Sequence, residues 1–297
     1  MSTLIEQAAE RLEQLRQAGI KVPEPEIQHR PAPLAAVAVP DTAREELVSA
    51  AQRVELDLDA LASLNVVVPG APRSQVADQF RVIKRPLINN AMGKGAIKPA
   101  HPNLIMVTSA MAGEGKSFTS VNLAMSIAAE LDHTVMLVDA DVARPSLPKM
   151  LGIPDGPGLL DLLDGSSDMS SVLLKTNVDK LTLLRSGTPR SHATEMLASD
   201  GMRQLLDDMS RRYPDRIIIF DSPPLLLTTE SRALAMNMGQ IVVVVQAGKT
   251  LQSDVQYALS TIEACPLRLM LLNQTRADAQ GSYGFGYGYG YGYGYRT

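Results

Sequence analysis

Residues 111–117, "MAGEGKS", carry the densest chemistry in the chain. Read from Ala110, the stretch is A-x-x-x-x-G-K-S, a phosphate-binding loop with alanine at the first glycine position. Gly113 and Gly115 let the backbone N–H groups of Ala112, Gly113, Glu114, Gly115, Lys116, Ser117 and Phe118 crowd round phosphate oxygens. Lys116 brings a positive charge to the β and γ phosphates. Ser117 offers a hydroxyl to Mg²⁺, and the following helix adds the positive end of its dipole. Two further stretches end in carboxylates. "VMLVDAD" (135–141) places Asp139 and Asp141, and "IIIFDSPP" (217–224) places Asp221. A lone Asp at a strand end is usually a cap or a turn residue. Three of them beside a phosphate loop instead suit a hard cation, which takes oxygen ligands and keeps several waters. The expected ligands are Ser117 directly, with Asp141 and Asp221 acting through water. ATP and Mg²⁺ are the cofactors this set would hold.

Positioning these groups requires strands that end at one edge. "LIMVTSA" (104–110), "TVMLVDAD" (134–141), "LTLLRSG" (181–187), "RIIIFDSPP" (216–224), "QIVVVVQAG" (240–248) and "LRLMLLNQ" (267–274) are short apolar runs rich in β formers. Helical patterns at 117–131, 193–212 and 250–264 fall between them. Alternating strands and helices predict an α/β fold with a doubly wound, mostly parallel sheet. In such sheets ligands bind beyond the carboxyl ends of the strands. Asp139, Asp141, Asp221 and the loop would meet there. Asn273 closes the last strand.

N-terminal to this region the texture differs. Residues 3–18 read as an amphipathic helix, with Thr3 and Glu6 at capping-box spacing. Residues 21–40 hold five prolines and read as an extended linker. Residues 42–65 are expected to be one or two helices, and residues 74–90 another. The expected organisation is helices and linker over 1–73, the nucleotide domain over 74–276, and a tail over 277–297. In that tail Tyr283, Tyr287, Tyr289, Tyr291, Tyr293 and Tyr295 are six of the chain's eight tyrosines, nearly alternating with glycine. Such a segment cannot bury enough surface to order itself.

Bulk properties exclude several classes. The 45% hydrophobic content suits a chain with a core, and a net charge of −4 gives no footprint for nucleic acid. A single cysteine, Cys265, excludes a disulfide framework and fits a reducing cytosol. No run approaches a membrane span. A cytoplasmic chain is expected, and any membrane role must come through a partner.

Together, "SAMAGEGKS" (109–117), "VMLVDADVARPSL" (135–147), "IIIFDSPPLL" (217–226) and the tyrosine cluster resemble the bacterial tyrosine kinases. These are P-loop NTPases of the deviant-Walker, ParA/MinD-like type. "GLLDLLDG" (158–165) and "EMLASDGM" (195–202) also look like that family. The resemblance implies autophosphorylation of the six tail tyrosines in trans, with Lys116, Asp139 and Asp141 catalytic. Asp139 is implied as the base for the tyrosine hydroxyl; orienting a metal-bound water is the other role open to it. Asn273 is implied to contact adenine. The N-terminal helix and the tail suggest the soluble, exosortase-associated kinases of exopolysaccharide operons. That subgroup implies a role in polymerisation and export, with a transmembrane co-polymerase as activator and a tyrosine phosphatase to reset the tail.

The chain departs from the family at three places. Met111 stands where ParA/MinD ATPases carry a signature lysine. Ala143 replaces the first arginine of D-x-D-x-R-R-P, and Arg144 keeps the second. The family's oligomerisation helix reads E-x-x-R-x-x-R, where this chain has Asp78, Arg81 and Lys84 with Arg85 beside it. A ring of copies through helix 76–90 is one reading of that segment, and an ordinary charged helix face is the other. Two further functions compete with the kinase: a switch ATPase of the ParA/MinD type, and an ATP-binding assembly scaffold with an adhesive Tyr/Gly tail. Asp139→Asn separates the two roles of that residue. As a base its loss lowers phosphotransfer more than ATP binding, read by phosphotyrosine detection beside nucleotide titration; an equal loss of both assigns it to the metal.

Overall fold

Strand β2 (Leu104–Ser109) is buried at all six positions. Only a strand covered on both faces tolerates an unbroken apolar run, so β2 must lie inside a parallel sheet with helices on either side. The computed structural model describes residues 52–212 and 215–275, all within the unit Glu46–Thr297. The expected helix at 3–18, the linker at 21–40 and the tail tyrosines lie outside these residues.

The remaining strands are β1 (Gln52–Val54), β3 (Thr134–Asp139), β4 (Leu173–Thr176), β5 (Leu181–Leu184), β6 (Arg216–Asp221), β7 (Gln240–Gln246) and β8 (Arg268–Asn273). They form one sheet in the order β1-β4-β5-β3-β6-β2-β7-β8. Only the β4–β5 pair is antiparallel. After β2 the chain travels outward to β3, and after β6 it crosses to β7 on the other side. The reversal of direction therefore falls at β2 and β6, where open α/β sheets form their ligand crevice.

Helices among the described residues are α1 (Leu58–Ser63), α2 (Gln75–Ala91), α3 (Lys116–Ala128), α4 (Leu147–Leu151), α5 (Leu159–Leu163), α6 (Met169–Val172), α7 (Ala193–Leu197), α8 (Asp200–Arg212), α9 (Glu230–Ala235) and α10 (Gln252–Ser260). Alternate side chains of each strand feed opposite layers. Ile105, Val107, Val135, Leu137, Ile217 and Ile219 pack with residues of α2 and α3. Leu104, Met106, Met136, Val138, Ile218 and Phe220 pack with residues of α5, α7, α8, α9 and α10. Helix α3 is buried from Thr119 to Ala128. It is covered by the sheet and by α2, with Phe80 and Phe118 meeting edge to face at 6.5 Å. None of the described helices is long and apolar enough to cross a membrane.

Three local expectations change. The helical reading of 42–65 fails at Gln52–Val54, which is a strand paired in parallel with β4. Val54, Leu58 and Leu61 do share a helical period, but the decisive partner lies elsewhere in the chain. Asn177 clamps Leu56 with two bonds, Leu56 N–H to Asn177 Oδ1 at 2.9 Å and Asn177 Nδ2 to Leu56 O at 3.0 Å. The sheet thus begins before residue 74. The expected helix 193–212 is two helices, divided where the Ser199 hydroxyl accepts the Met202 N–H at 3.2 Å and caps the second. Strand β4 had no counterpart in the sequence reading.

The third change concerns the charged segment of α2. Lys84 does not face outward but is 4% exposed. Its ammonium donates to Ser126 O near the end of α3 and pairs with Glu130 at 2.7 Å. Asp78 and Arg81, in contrast, form a half-exposed pair at 2.6 Å. Lys84→Ala is expected to cost about 2–4 kcal/mol in denaturant unfolding, because it strands a buried carbonyl and weakens the hold on Glu130. Arg81→Ala is expected to change stability by less than about 1 kcal/mol.

Candidate functional site

Sheet register builds the site. In the β3–β6 pairing Asp139 stands directly opposite Asp221, and Val107 of β2 is opposite Asp221 on the other side. Both carboxylates are fully buried. The chain then leaves β2 and turns into α3 through the phosphate loop. Gly113 and Gly115 take φ of +84° and +98°, a region that side chains avoid. Gly115 is the residue that caps α3, and it offers no side-chain acceptor. The first-turn N–H groups of α3 are thus left for an anion. Met111, Ala112 and Gly113 are exposed, Lys116 and Ser117 are half-buried, and the Glu114 side chain is buried.

Hydroxyl groups join Ser117 to the carboxylates. Ser117 Oγ lies 2.7 Å from Ser146 Oγ, and Ser146 Oγ donates to Asp221 Oδ2 at 3.5 Å. Ser120 Oγ donates to Asp221 Oδ1 at 3.0 Å. Asp139 is held differently. Its Oδ1 accepts the Asp141 N–H at 3.2 Å and its Oδ2 accepts the Leu147 N–H at 3.1 Å. Asp139 therefore closes the loop between β3 and α4 from beneath. Asp141 is half-buried, whereas Asp139 and Asp221 are shut off from solvent.

Three carboxylates in so small a volume resist ionisation together. Burial, and next the charge of Asp221, pushes Asp139 up to about 8. Burial lifts Asp221 to about 6, against the pull of the Ser117 hydroxyl and Lys116. Burial also raises Asp141, with Lys116 opposing. This is an oxygen-rich site short of positive charge, which suits a hard divalent cation. Among the described residues, no cluster of three or more His, Cys, Asp or Glu side chains is disposed to hold a metal. Mg²⁺ needs no such cage, since it is bound by one or two carboxylates, water and substrate phosphates. Ser117, Asp141 and Asp221 fit that pattern.

Asn273 comes to the same mouth from the end of β8. Its Nδ2 donates to Glu114 O at 2.9 Å, and it fills the space a side chain at Gly115 would need. In this conformation its amide is engaged by the phosphate loop. Ser120 and Ser146 are the site residues that sequence reading passed over. The signals available were a further serine three residues after Ser117 in "KSFTS", and "RPSL" shortly after Asp141.

Comparison with known proteins gives three kinds of match. The family model described as ParA, NUBPL iron-transfer P-loop NTPase, matches residues 101–264. The tyrosine-protein kinase ptk of Acinetobacter johnsonii is 33% identical over 188 residues, 63% of this chain and 25% of that protein. This chain thus spans about a quarter of the length of that relative. The tyrosine-protein kinase CpsD of Streptococcus pneumoniae serotype 4 is 32% identical over 159 residues, 52% of this chain and 67% of that protein. Among solved structures, the BceF tyrosine kinase domain superposes with a TM-score of 0.58 at 25% identity. It covers 77% of this chain and 86% of its own.

Asp221→Asn is expected to stabilise the metal- and nucleotide-free protein. Both neighbours of Asp221 are hydroxyls, which can rotate to accept from an amide. A carboxylate raised to about 6 on folding carries no penalty below its unfolded value near 4, and its penalty grows as pH rises to 6. The gain should therefore be absent at pH 4 and reach about 1–3 kcal/mol above pH 6. Thermal melts in EDTA across that range check it; a gain independent of pH contradicts it.

Proposed function

The chain belongs to the bacterial tyrosine kinase family of ParA-like P-loop NTPases, and from that premise we propose that it is an ATP-dependent protein-tyrosine autokinase. It passes the γ-phosphoryl group of ATP to tyrosines of its own C-terminal cluster, in trans between copies. The observation that carries this reading is a convergence within one sequence. The phosphate loop opens onto two strand-end carboxylates set side by side by sheet register. The same chain supplies six tyrosines between residues 283 and 295, with no charged residue among them.

Phosphoryl transfer asks mainly for positioning and charge neutralisation. The N–H groups from Ala112 to Phe118 surround the β and γ phosphates, and Lys116 offsets their charge. Ser117, Asp141 and Asp221 hold Mg²⁺. When bound, that ion neutralises phosphate charge and lowers the cost of the crowded carboxylates. A tyrosine hydroxyl, with a pKa of about 10, attacks well at neutral pH only beside a base. Asp139 takes that role once the 140–147 segment moves; until then Asp141 is the nearer carboxylate. Asn273 would contact the adenine, giving up its bond to Glu114 O. The enzyme acts in the cytoplasm, at the inner face of the membrane, under a transmembrane co-polymerase and against a tyrosine phosphatase, regulating exopolysaccharide polymerisation and export. Copies meet through the outer face of α2, where Asp78 and Arg81 stand. An iron-carrying role would call for thiolates in groups; the chain has Cys265 alone, and it is buried.

With ATP and Mg²⁺, the purified chain is expected to gain phosphotyrosine confined to residues 283–295, located by mass spectrometry. Lys116→Met abolishes the signal while leaving the melting temperature within a few degrees. Full autophosphorylation by Lys116→Met, or ATP hydrolysis with no phosphotyrosine at all, overturns the assignment; the second outcome would favour a switch ATPase.

A further inference from the structure

One buried polar side chain beside the phosphates has no part in the chemistry above. Glu114 is 2% exposed, although Met111, Ala112 and Gly113 just before it are exposed. Its Oε2 accepts the Met111 N–H at 2.8 Å, which closes the loop on itself. The Met111 carbonyl is held from the opposite side by Ser109 Oγ at 2.6 Å. Its Oε1 accepts the hydroxyl of Thr250, 136 residues away. Thr250 is fixed in turn, since its Oγ1 accepts the Gln246 N–H at 3.0 Å and its own N–H bonds Gln246 O at 3.1 Å. The Glu114 backbone carbonyl takes the third tie, from Asn273 Nδ2.

From this geometry we infer that Glu114 and Thr250 form a latch that presets the phosphate loop before nucleotide arrives, making Thr250 a positioning residue for phosphate binding. The loop has to hold several N–H groups in one orientation, with two glycines at positive φ. Glycine-rich backbone pays heavily for that order. Strand β2 fixes only the start of the loop, and α3 fixes only its end. The Glu114 carboxyl group spans the interval and ties it to the β7–α10 turn. Because β7 is the hydrogen-bonded neighbour of β2, with Val244 opposite Ser109, the latch closes across the ends of two strands that are already rigid. The ordering cost is met in the free protein, so nucleotide gains affinity. The loop grips the β phosphate in ground and transition states alike, so the benefit falls on binding and leaves the chemical step nearly untouched. The connection is also reciprocal: phosphate in the loop should steady the β7–α10 turn.

The inference rests only on the nucleotide-binding half of the proposed function, and its test needs no phosphotyrosine. The full chain is titrated with Mg²⁺ and a fluorescent ADP. Thr250→Val, which keeps the shape and removes the hydroxyl, is expected to weaken ADP binding about tenfold, or ~1.4 kcal/mol. Thr250→Ser, which keeps the hydroxyl, stays within about twofold of wild type. KM for ATP rises in step with the ADP Kd, and kcat at saturating ATP changes by less than about threefold. Hydrogen exchange at residues 248–252 slows on adding ADP in wild type and in Thr250→Ser, but not in Thr250→Val. Wild-type ADP affinity in Thr250→Val overturns the latch, and so does equal weakening by Val and Ser, which would assign the effect to packing. A fall in kcat with KM unchanged overturns it as well. If Thr250→Val does not fold, Thr250→Ala carries the same comparison. If wild type itself binds no ADP, the nucleotide site has failed and the latch with it; if ADP binds but no phosphotyrosine forms, the latch test still stands.

Discussion

Everything at the catalytic edge follows from two carboxylates facing each other across a β-ladder. Asp139 and Asp221 end neighbouring parallel strands in the same register, inside a sheet that excludes water from both. Burying one charge without a partner is expensive, and burying two together is worse. The fold tolerates them because each is hydrogen-bonded, Asp139 by backbone N–H groups and Asp221 by serine hydroxyls. The remaining deficit is positive charge, and Lys116 at the base of the loop supplies only part of it. A site of this composition suits a divalent cation accompanied by phosphates.

The different supports of the two carboxylates suggest different freedoms. Asp221 sits at the end of a central strand between β3 and β2, and its neighbours are rotatable hydroxyls. Asp139 is bound to the peptide of Asp141 and to the first residue of α4. Its position is thus coupled to the whole 140–147 segment, which contains Ala143 where the family carries arginine. Arg144 remains, exposed, with its N–H turned back to Asp141 at 3.2 Å.

How much of this was legible in the sequence depended on distance along the chain. The loop, the strand-end carboxylates and six of the eight strands announce themselves within windows of ten residues, because apolar runs and glycine spacing are local facts. Strands β1 and β4 were not legible. Each is short, and β1 exists only because Asn177 and β4 hold it from more than 100 residues away. Lys84 looked like one of several exposed cations, since nothing in "DQFRVIK" reveals that its ammonium meets the end of α3. Thr250 was silent for the same reason, and "RPSL" was only a faint hint of Ser146: serine and threonine are common, and only tertiary contact gives these two a task. The glutamate of "MAGEGKS" was read for its N–H alone. Its side chain faces inward, away from the phosphates for which the motif is known.

Strand β8 is the last strand of the sheet and its outermost on that side. The strand's final residue, Asn273, holds the carbonyl of Glu114. Mechanically, the exit of the chain from the sheet is thus hitched to the phosphate loop by a single amide. Tension on whatever follows residue 275 would be shared between this hitch and the bonds from Gln246 Nε2 to Gln274 Oε1 and from Ala247 N–H to Asn273 O, which hold the same exit to β7. A partner that seized the C-terminal segment would tug on the nucleotide's seat, and slack in that segment would let it rest.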